Sequence, residues 1–239
     1  MLTTRVADQP DIPALTVSSR LYCAIDRPDL AGAEAIARRL VGAVGGLKLG
    51  LEFFCANGPE GVARMRAIGL PIFLDLKLHD IPNTAAGAVR ALAGLGVDLL
   101  TLHAAGGPAM LAAAVAARDA AGSRMRLLGV TVLTSLDDAD LVGVPDGVAA
   151  QVERLAAVCT AARLDGIVCS PREVAMLRAR VPQSCLLVVP GIRPGGIGDD
   201  QKRTMGAAET LAAGADLLVV GRPITGAADP RAAALAIAA

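Results

Sequence analysis

The chain has 239 residues, and its 23 basic and 23 acidic side chains cancel, which leaves no overall field to attract nucleic acid or a membrane surface. Although 54% of residues are hydrophobic and the mean hydropathy is +0.53, charges interrupt the apolar runs before the ~18 residues needed to span a bilayer, so a soluble protein is expected. Five cysteines with no Cys-x-x-Cys and two histidines with no His-x-x-x-His exclude an obvious zinc site; the thiols suit small buried hydrophobes in a reducing, cytoplasmic compartment.

In chain order, residues 1–20 carry Arg5, Asp8, Asp11, Pro10 and Pro13 without a basic start and an apolar core, and read as a short extension rather than a signal peptide. Residues 21–239 read as one domain. Short apolar runs recur along it: Leu21 to Ile25, Leu47 to Leu49, Ile72 to Leu76, Leu99 to Leu102, Leu127 to Leu133, Gly166 to Cys169, Leu186 to Val189 and Leu217 to Val220. Ala-rich segments of helical length lie between them. Continuous apolar strands alternating with helices predict a parallel sheet covered on both sides, and eight such units favour a closed (β/α)8 TIM barrel over an open doubly wound sheet. Ser170-Pro-Arg-Glu173 and Asp229-Pro230 mark helix starts. Gly45, Gly69, Gly96, Gly122 and Gly214 mark helix ends as left-handed caps. Gly96-Val-Asp-Leu-Leu and Gly214-Ala-Asp-Leu-Leu look like one turn used twice. Asp26-Arg-Pro-Asp stands where a dinucleotide fold would place its glycines.

The strand ends of a barrel form its reactive face, and here they are polar. The stretch Phe73-Leu-Asp-Leu-Lys-Leu-His-Asp-Ile-Pro-Asn-Thr84 places Asp75, Lys77, His79 and Asp80 at the end of an apolar strand. Residues two apart share a face about 7 Å apart, so Asp75 and Lys77 project together and Leu74 and Leu76 project the other way. A structural ion pair accounts for such a pair, and so does chemistry. Thr84 can open the following helix through Asn83 or its own hydroxyl. Other strand ends offer Asp26, which could instead cap a helix, Lys48, His103 as a packed residue, and Thr134. Two late segments, Pro190-Gly-Ile-Arg-Pro-Gly-Gly-Ile-Gly-Asp-Asp-Gln-Lys-Arg203 and Gly221-Arg222-Pro223, combine glycine-rich backbone with arginine. That combination suits a phosphate, and it follows the strands where barrels commonly bind one.

With these residues in place, the chain from about Leu21 onward resembles the bacterial orotidine 5'-phosphate decarboxylase family. The resemblance is carried by Phe73 to Thr84, Ala24-Ile-Asp26, Lys48-Leu-Gly50, Thr131-Val-Leu-Thr-Ser135, Pro190-Gly-Ile-Arg-Pro194, Gln201 and Gly221-Arg-Pro-Ile-Thr225. It implies a homodimeric barrel with sites at the subunit interface and no cofactor or metal, acting on a small nucleotide. Lys48, Asp75, Lys77 and Asp80 would form a chain of alternating charge, with Asp80 and Thr84 supplied by the other subunit and Lys77 as proton donor. Asp26 and Lys48 would hold the ribose, Thr134 the pyrimidine, and Arg193, Gln201, Gly221 and Arg222 the phosphate. Neither nucleic acid nor a membrane is expected as a partner. The extension has no assigned counterpart, and Leu78 stands where the motif often has an aromatic.

The same Asp-x-Lys-x-x-Asp scaffold also resembles magnesium-dependent 3-hexulose-6-phosphate synthases and 3-keto-gulonate-6-phosphate decarboxylases. Those enzymes need an acidic metal ligand near the second strand, for which Glu52 is the candidate. A silent nucleotide-phosphate binding protein is a third reading, against which an intact Lys77 argues.

Overall fold

Short strands that are apolar on both faces need cover on both, and a closed parallel sheet wrapped by helices supplies it without leaving an edge. The computed structural model describes residues 16–192 and 205–239. Among these, β1 (Leu21–Ala24), β2 (Gly46–Gly50), β3 (Ile72–Leu78), β4 (Leu99–His103), β5 (Arg126–Val130), β6 (Gly166–Val168), β7 (Leu186–Pro190) and β8 (Leu217–Val220) run parallel in sequence order, and β8 closes onto β1. The helices are α1 (Val17–Arg20), α2 (Leu30–Leu40), α3 (Leu51–Arg66), α4 (Pro82–Ala93), α5 (Gly107–Ala120), α6 (Gly147–Ala161), α7 (Val174–Arg178), α8 (Ala207–Ala212), α9 (Arg222–Thr225) and α10 (Pro230–Ile237). The architecture is the expected (β/α)8 barrel.

Alternation along each strand separates two apolar layers. Leu21, Cys23, Leu47, Leu49, Leu74 and Leu76 pack in the shell between sheet and helices. Tyr22, Ala24, Phe73, Leu99, Leu128 and Val188 fill the barrel itself. Within it Tyr22 meets Phe73 edge to face, with centroids 6.4 Å apart and planes at 75°, and this explains Gly46: a Cβ there would lie 2.3 Å from the Tyr22 ring. Lys48 pairs with Phe73, and Gly50 with Asp75, in the register of β2 and β3. The charged residues therefore stack directly above a closed apolar floor.

The turns are mostly as expected. Gly69, Gly96, Gly122 and Gly214 have φ of 91°, 66°, 60° and 110°, so each supplies the left-handed step that a side chain resists. Gly45 does not. The left-handed residue at that turn is Gly42, with φ 75°, and Gly45 is required because a Cβ would lie 1.9 Å from the Ser19 carbonyl oxygen. Glu173 accepts from the Ser170 N–H at 2.8 Å, and Asp229 caps α10 by accepting from the N–H groups of Arg231 and Ala232. Helix α4, in contrast, starts at Pro82 with Ile81 as its cap residue and no side-chain cap; proline already lacks the first N–H and has the helical φ, so Thr84 is left exposed in the first turn. Strand β5 ends at Val130, earlier than the apolar run, level with the last rungs of its ladders to His103 of β4 and Val168 of β6. The chain from Thr131 to Thr134 is irregular.

At the amino end of the barrel, Arg20 anchors α1 by donating to the carbonyls of Ala215 and, at 2.8 Å, Asp216. Residues 1–15 of the predicted extension lie outside the described residues. No helix among the described residues is long and apolar enough to cross a membrane.

Candidate active site

Strand β3 leaves its regular ladder just where the charges begin. Its pairing with β4 runs Phe73↔Leu99 and Leu74↔Leu100 and then jumps to Leu78↔Leu102, so β3 uses four steps where β4 uses two. Lys77 lies in this bulge with φ 50°, a left-handed conformation that costs a residue with a side chain about 1–2 kcal/mol. The regular ladder thus breaks at Lys77, yet the side chains keep the two-residue alternation expected from sequence: Leu74, Leu76 and Leu78 pack towards the helices, and the Lys77 ammonium reaches its neighbour. Lys77 Nζ donates to Asp75 Oδ2 at 2.8 Å.

Asp75 is the centre of the array. Its Oδ2 also lies 3.4 Å from Lys48 Nζ, and Lys48 Nζ donates to Asp26 at 3.0 Å. The Asp75 Oδ1 accepts from the Thr101 hydroxyl at 2.9 Å, and the same hydroxyl accepts from the Lys77 backbone N–H at 2.9 Å. Burial works against the Asp75 carboxylate, but Lys48 and Lys77 outweigh it and hold its pKa below the ordinary value. Burial likewise opposes the Lys48 ammonium, and Asp75 with Asp26 holds its pKa above the ordinary value. Both groups are charged at neutral pH. Asp26 does not cap α2; Asp29 does, accepting from the Gly32 N–H at 2.8 Å.

A cavity of about 300 Å³ opens over this array, and Asp26, Lys48, Asp75, Lys77, Thr134, Gly221 and Arg222 all line it. Val130, Val132, Val168 and Cys169 add an apolar part to its lining. Seven of the predicted site residues therefore converge on one space at the carboxyl ends of the strands. Arg193 and Gln201 lie outside the described residues. Asp80 and Thr84 do not reach the cavity within this chain: Asp80 accepts from the neighbouring Ile81 N–H at 2.7 Å and lines a separate surface hollow with His79. His103 is half-buried, 5.4 Å from His79 between ring centroids; burial, then His79 and Lys77, lowers its pKa. It contributes nothing to the cavity wall, as expected of a packed histidine. The residue that sequence reasoning missed is Thr101, whose one signal is a hydroxyl amid leucines in β4.

Glu52 is exposed in the first turn of α3 and absent from the cavity lining, so the acidic candidate for a magnesium site stands apart from the array. Among the described residues no group of three or more His, Cys, Asp or Glu side chains is placed to hold a metal ion.

Residues 19–237 match the pattern of the orotidine 5'-phosphate decarboxylase / HUMPS family. Orotidine 5'-phosphate decarboxylase of Anaeromyxobacter sp. (strain K) is 53% identical over 225 residues, covering 93% of this chain and 98% of that protein. The enzyme of the same name from Sphingopyxis alaskensis is 54% identical over 227 residues, covering 93% and 99%. Among solved structures, an uncharacterized conserved protein from Geobacillus kaustophilus superposes with a TM-score of 0.79 at 35% identity, covering 91% of this chain and 97% of that one. Orotidine 5'-phosphate decarboxylase from Lactobacillus acidophilus superposes with a TM-score of 0.76 at 34% identity, covering 91% and 96%.

Proposed function

The chain belongs to the orotidine 5'-phosphate decarboxylase / HUMPS family, and from that premise we propose how its charged cavity works. The protein is a carboxy-lyase that converts orotidine 5'-monophosphate to uridine 5'-monophosphate, a step of pyrimidine biosynthesis. The observation that carries this reading is the Lys77 ammonium, held 2.8 Å from Asp75 at the wall of a cavity that also presents Thr134, Gly221 and Arg222.

The chemistry asks for such a group. When carbon dioxide leaves C6 of the pyrimidine, the electron pair remains in the ring plane, where the π system cannot spread it. A fixed ammonium meets that charge as it develops, and Lys77 then transfers one of its protons to C6, leaving a neutral amine that solvent reprotonates. Asp75 keeps Lys77 charged and aimed. Lys48 and Asp26 hold the ribose, Thr134 faces the pyrimidine, and Gly221 and Arg222, with Arg193 and Gln201, take the phosphate. Binding energy from the phosphate, remote from C6, can be used to order the reacting end.

We assign Asp80 and Thr84 to the site of a second copy of the chain. Both are exposed here, and Ile81 between them is 68% exposed, an apolar side chain that lines the surface hollow with Asp80 and suits a subunit contact. Free thiols at all five cysteines fit a cytoplasmic setting. The magnesium-dependent reading is not favoured: a divalent cation over Asp75 would face the ammonium groups of Lys48 and Lys77.

The deciding experiment follows the ultraviolet absorbance of orotidine 5'-monophosphate with excess EDTA present. Turnover that survives the chelator is expected, and the absence of turnover with or without added magnesium would remove the assignment.

A further inference from the structure

We propose that Thr101 is a positioning residue for decarboxylation: one hydroxyl sets both the Asp75 carboxylate and the strained Lys77 backbone, and so aims the Lys77 ammonium. The inference rests on the decarboxylase reading of the cavity and adds a residue to it. Thr101 is fully buried in the middle of β4 between Leu100 and Leu102, where a hydroxyl is costly unless it is bonded. It has one hydrogen to give and lone pairs to offer. An ionised carboxylate can only accept and a backbone N–H can only donate, so the orientation of the hydroxyl is fixed: it donates to Asp75 Oδ1 and accepts from Lys77 N, each at 2.9 Å.

The need for that acceptor comes from the bulge. Between Leu74 and Leu78 the ladder to β4 is interrupted, and the Lys77 N–H finds the Thr101 side chain in place of a strand carbonyl. The same hydroxyl holds Oδ1 while Oδ2 receives both ammonium groups, at 2.8 and 3.4 Å, so the carboxylate cannot rotate away. Lys77 is thus referenced to Thr101 twice, directly at its backbone and through Asp75 at its tip. Thr101 does not line the cavity. Its effect on substrate passes through Asp75 and Lys77.

Thr101→Val has nearly the same shape and no hydroxyl. It is expected to lower kcat by about ten- to hundredfold, the weight of a hydrogen bond to a charged group, while KM moves less than about threefold. The acid limb of kcat/KM should move to higher pH, because Asp75 loses a donor to its ionised form. Thr101→Ser keeps the hydroxyl and should recover most of the loss. A folded Thr101→Val protein with kcat within about twofold of the unmodified chain, or Thr101→Ser impaired equally, overturns the proposal. Should Thr101→Val not fold, Thr101→Cys compared with Thr101→Ser makes the same oxygen removal at smaller volume, with the same expected ordering. A carbon-13 titration of the Asp75 carboxyl, identified by its loss in Asp75→Asn, reads the effect without turnover: an upward move in Thr101→Val supports the role and an unmoved midpoint ends it. Such a move, when the unmodified chain itself fails to decarboxylate, would overturn the functional reading alone.

Discussion

Lys77 combines three costs that ordinary packing does not explain: a charge among apolar neighbours, a left-handed backbone, and a buried partner. Strain held in place by its surroundings is a mark of function. Lys77→Ala is therefore expected to lower kcat by at least about 10⁴-fold while uridine 5'-monophosphate still binds, which calorimetry can check; near-normal turnover would end the mechanism. The array also makes stability depend on pH. Asp75 has a depressed pKa in the fold, so its contribution is present above the ordinary carboxylate value near ~4 and is lost as pH falls through the depressed one. Lys48, whose pKa is raised, contributes fully below its ordinary value and loses that contribution as pH rises through the folded value. Asp75→Asn should cost about 3 kcal/mol at pH 7, and the gap to the unmodified chain should narrow as pH falls through the depressed value of Asp75. An equal gap at both ends, by urea unfolding, contradicts this. Asp75, Lys77 and Lys48 were legible because charge in an apolar strand is conspicuous and two-residue spacing gives its direction. Thr101 was not: threonine is common in strands, and its importance arises from a bulge that only the β3–β4 register reveals.

Among the connecting elements, one turn recurs at the amino end of the barrel. Gly96-Val97-Asp98 and Gly214-Ala215-Asp216 could be matched by eye, and the structure adds Arg163-Leu164-Asp165. The first residue of each is left-handed, with φ of 66°, 110° and 59°. The aspartate of each bonds the N–H of the preceding strand: Asp98 to Ile72 at 2.8 Å, Asp165 to Leu127 and Asp216 to Leu187 at 2.7 Å. Arg118 and Arg178 brace the last two aspartates. The repeat is thus a device that staples each strand to its neighbour, and its third copy was hidden because arginine occupies the glycine position. Exposed Arg163 pays the left-handed penalty of about 1–2 kcal/mol, whereas glycine would lose about 0.5–1 kcal/mol through unfolded-state freedom. Arg163→Gly should then stabilise the chain by about 0.5 kcal/mol, seen as a higher urea midpoint at unchanged slope. A lower midpoint would show that the arginine has a role beyond the turn.

Over the whole molecule the two ends of the barrel divide the work. Aspartates at the amino end bind strands together, while the carboxyl end holds a balanced array of two ammonium groups and two carboxylates, Lys48, Lys77, Asp26 and Asp75. Fold class and strand order could be read from period and length, and the meeting of Asp75 with Lys77 from their spacing, but the sequence carries no signal that Asp80 stands apart from them within one chain. Asp80 stands three residues from Lys77 and yet faces a separate hollow. That separation is the physical basis for assigning it to a second copy, and it makes a quantitative demand. Under the proposed arrangement, Lys77→Ala and Asp80→Ala chains are each inactive alone. In a mixed dimer, one site combines an intact Lys77 with an intact Asp80, and the other lacks both. Random exchange at equal amounts makes about half of the dimers mixed, so about a quarter of the unmodified activity should return. The recovery should fade on dilution below the dimer dissociation constant. No recovery after verified subunit exchange would mean that each chain completes its own site, with Asp80 confined to the surface on which it stands.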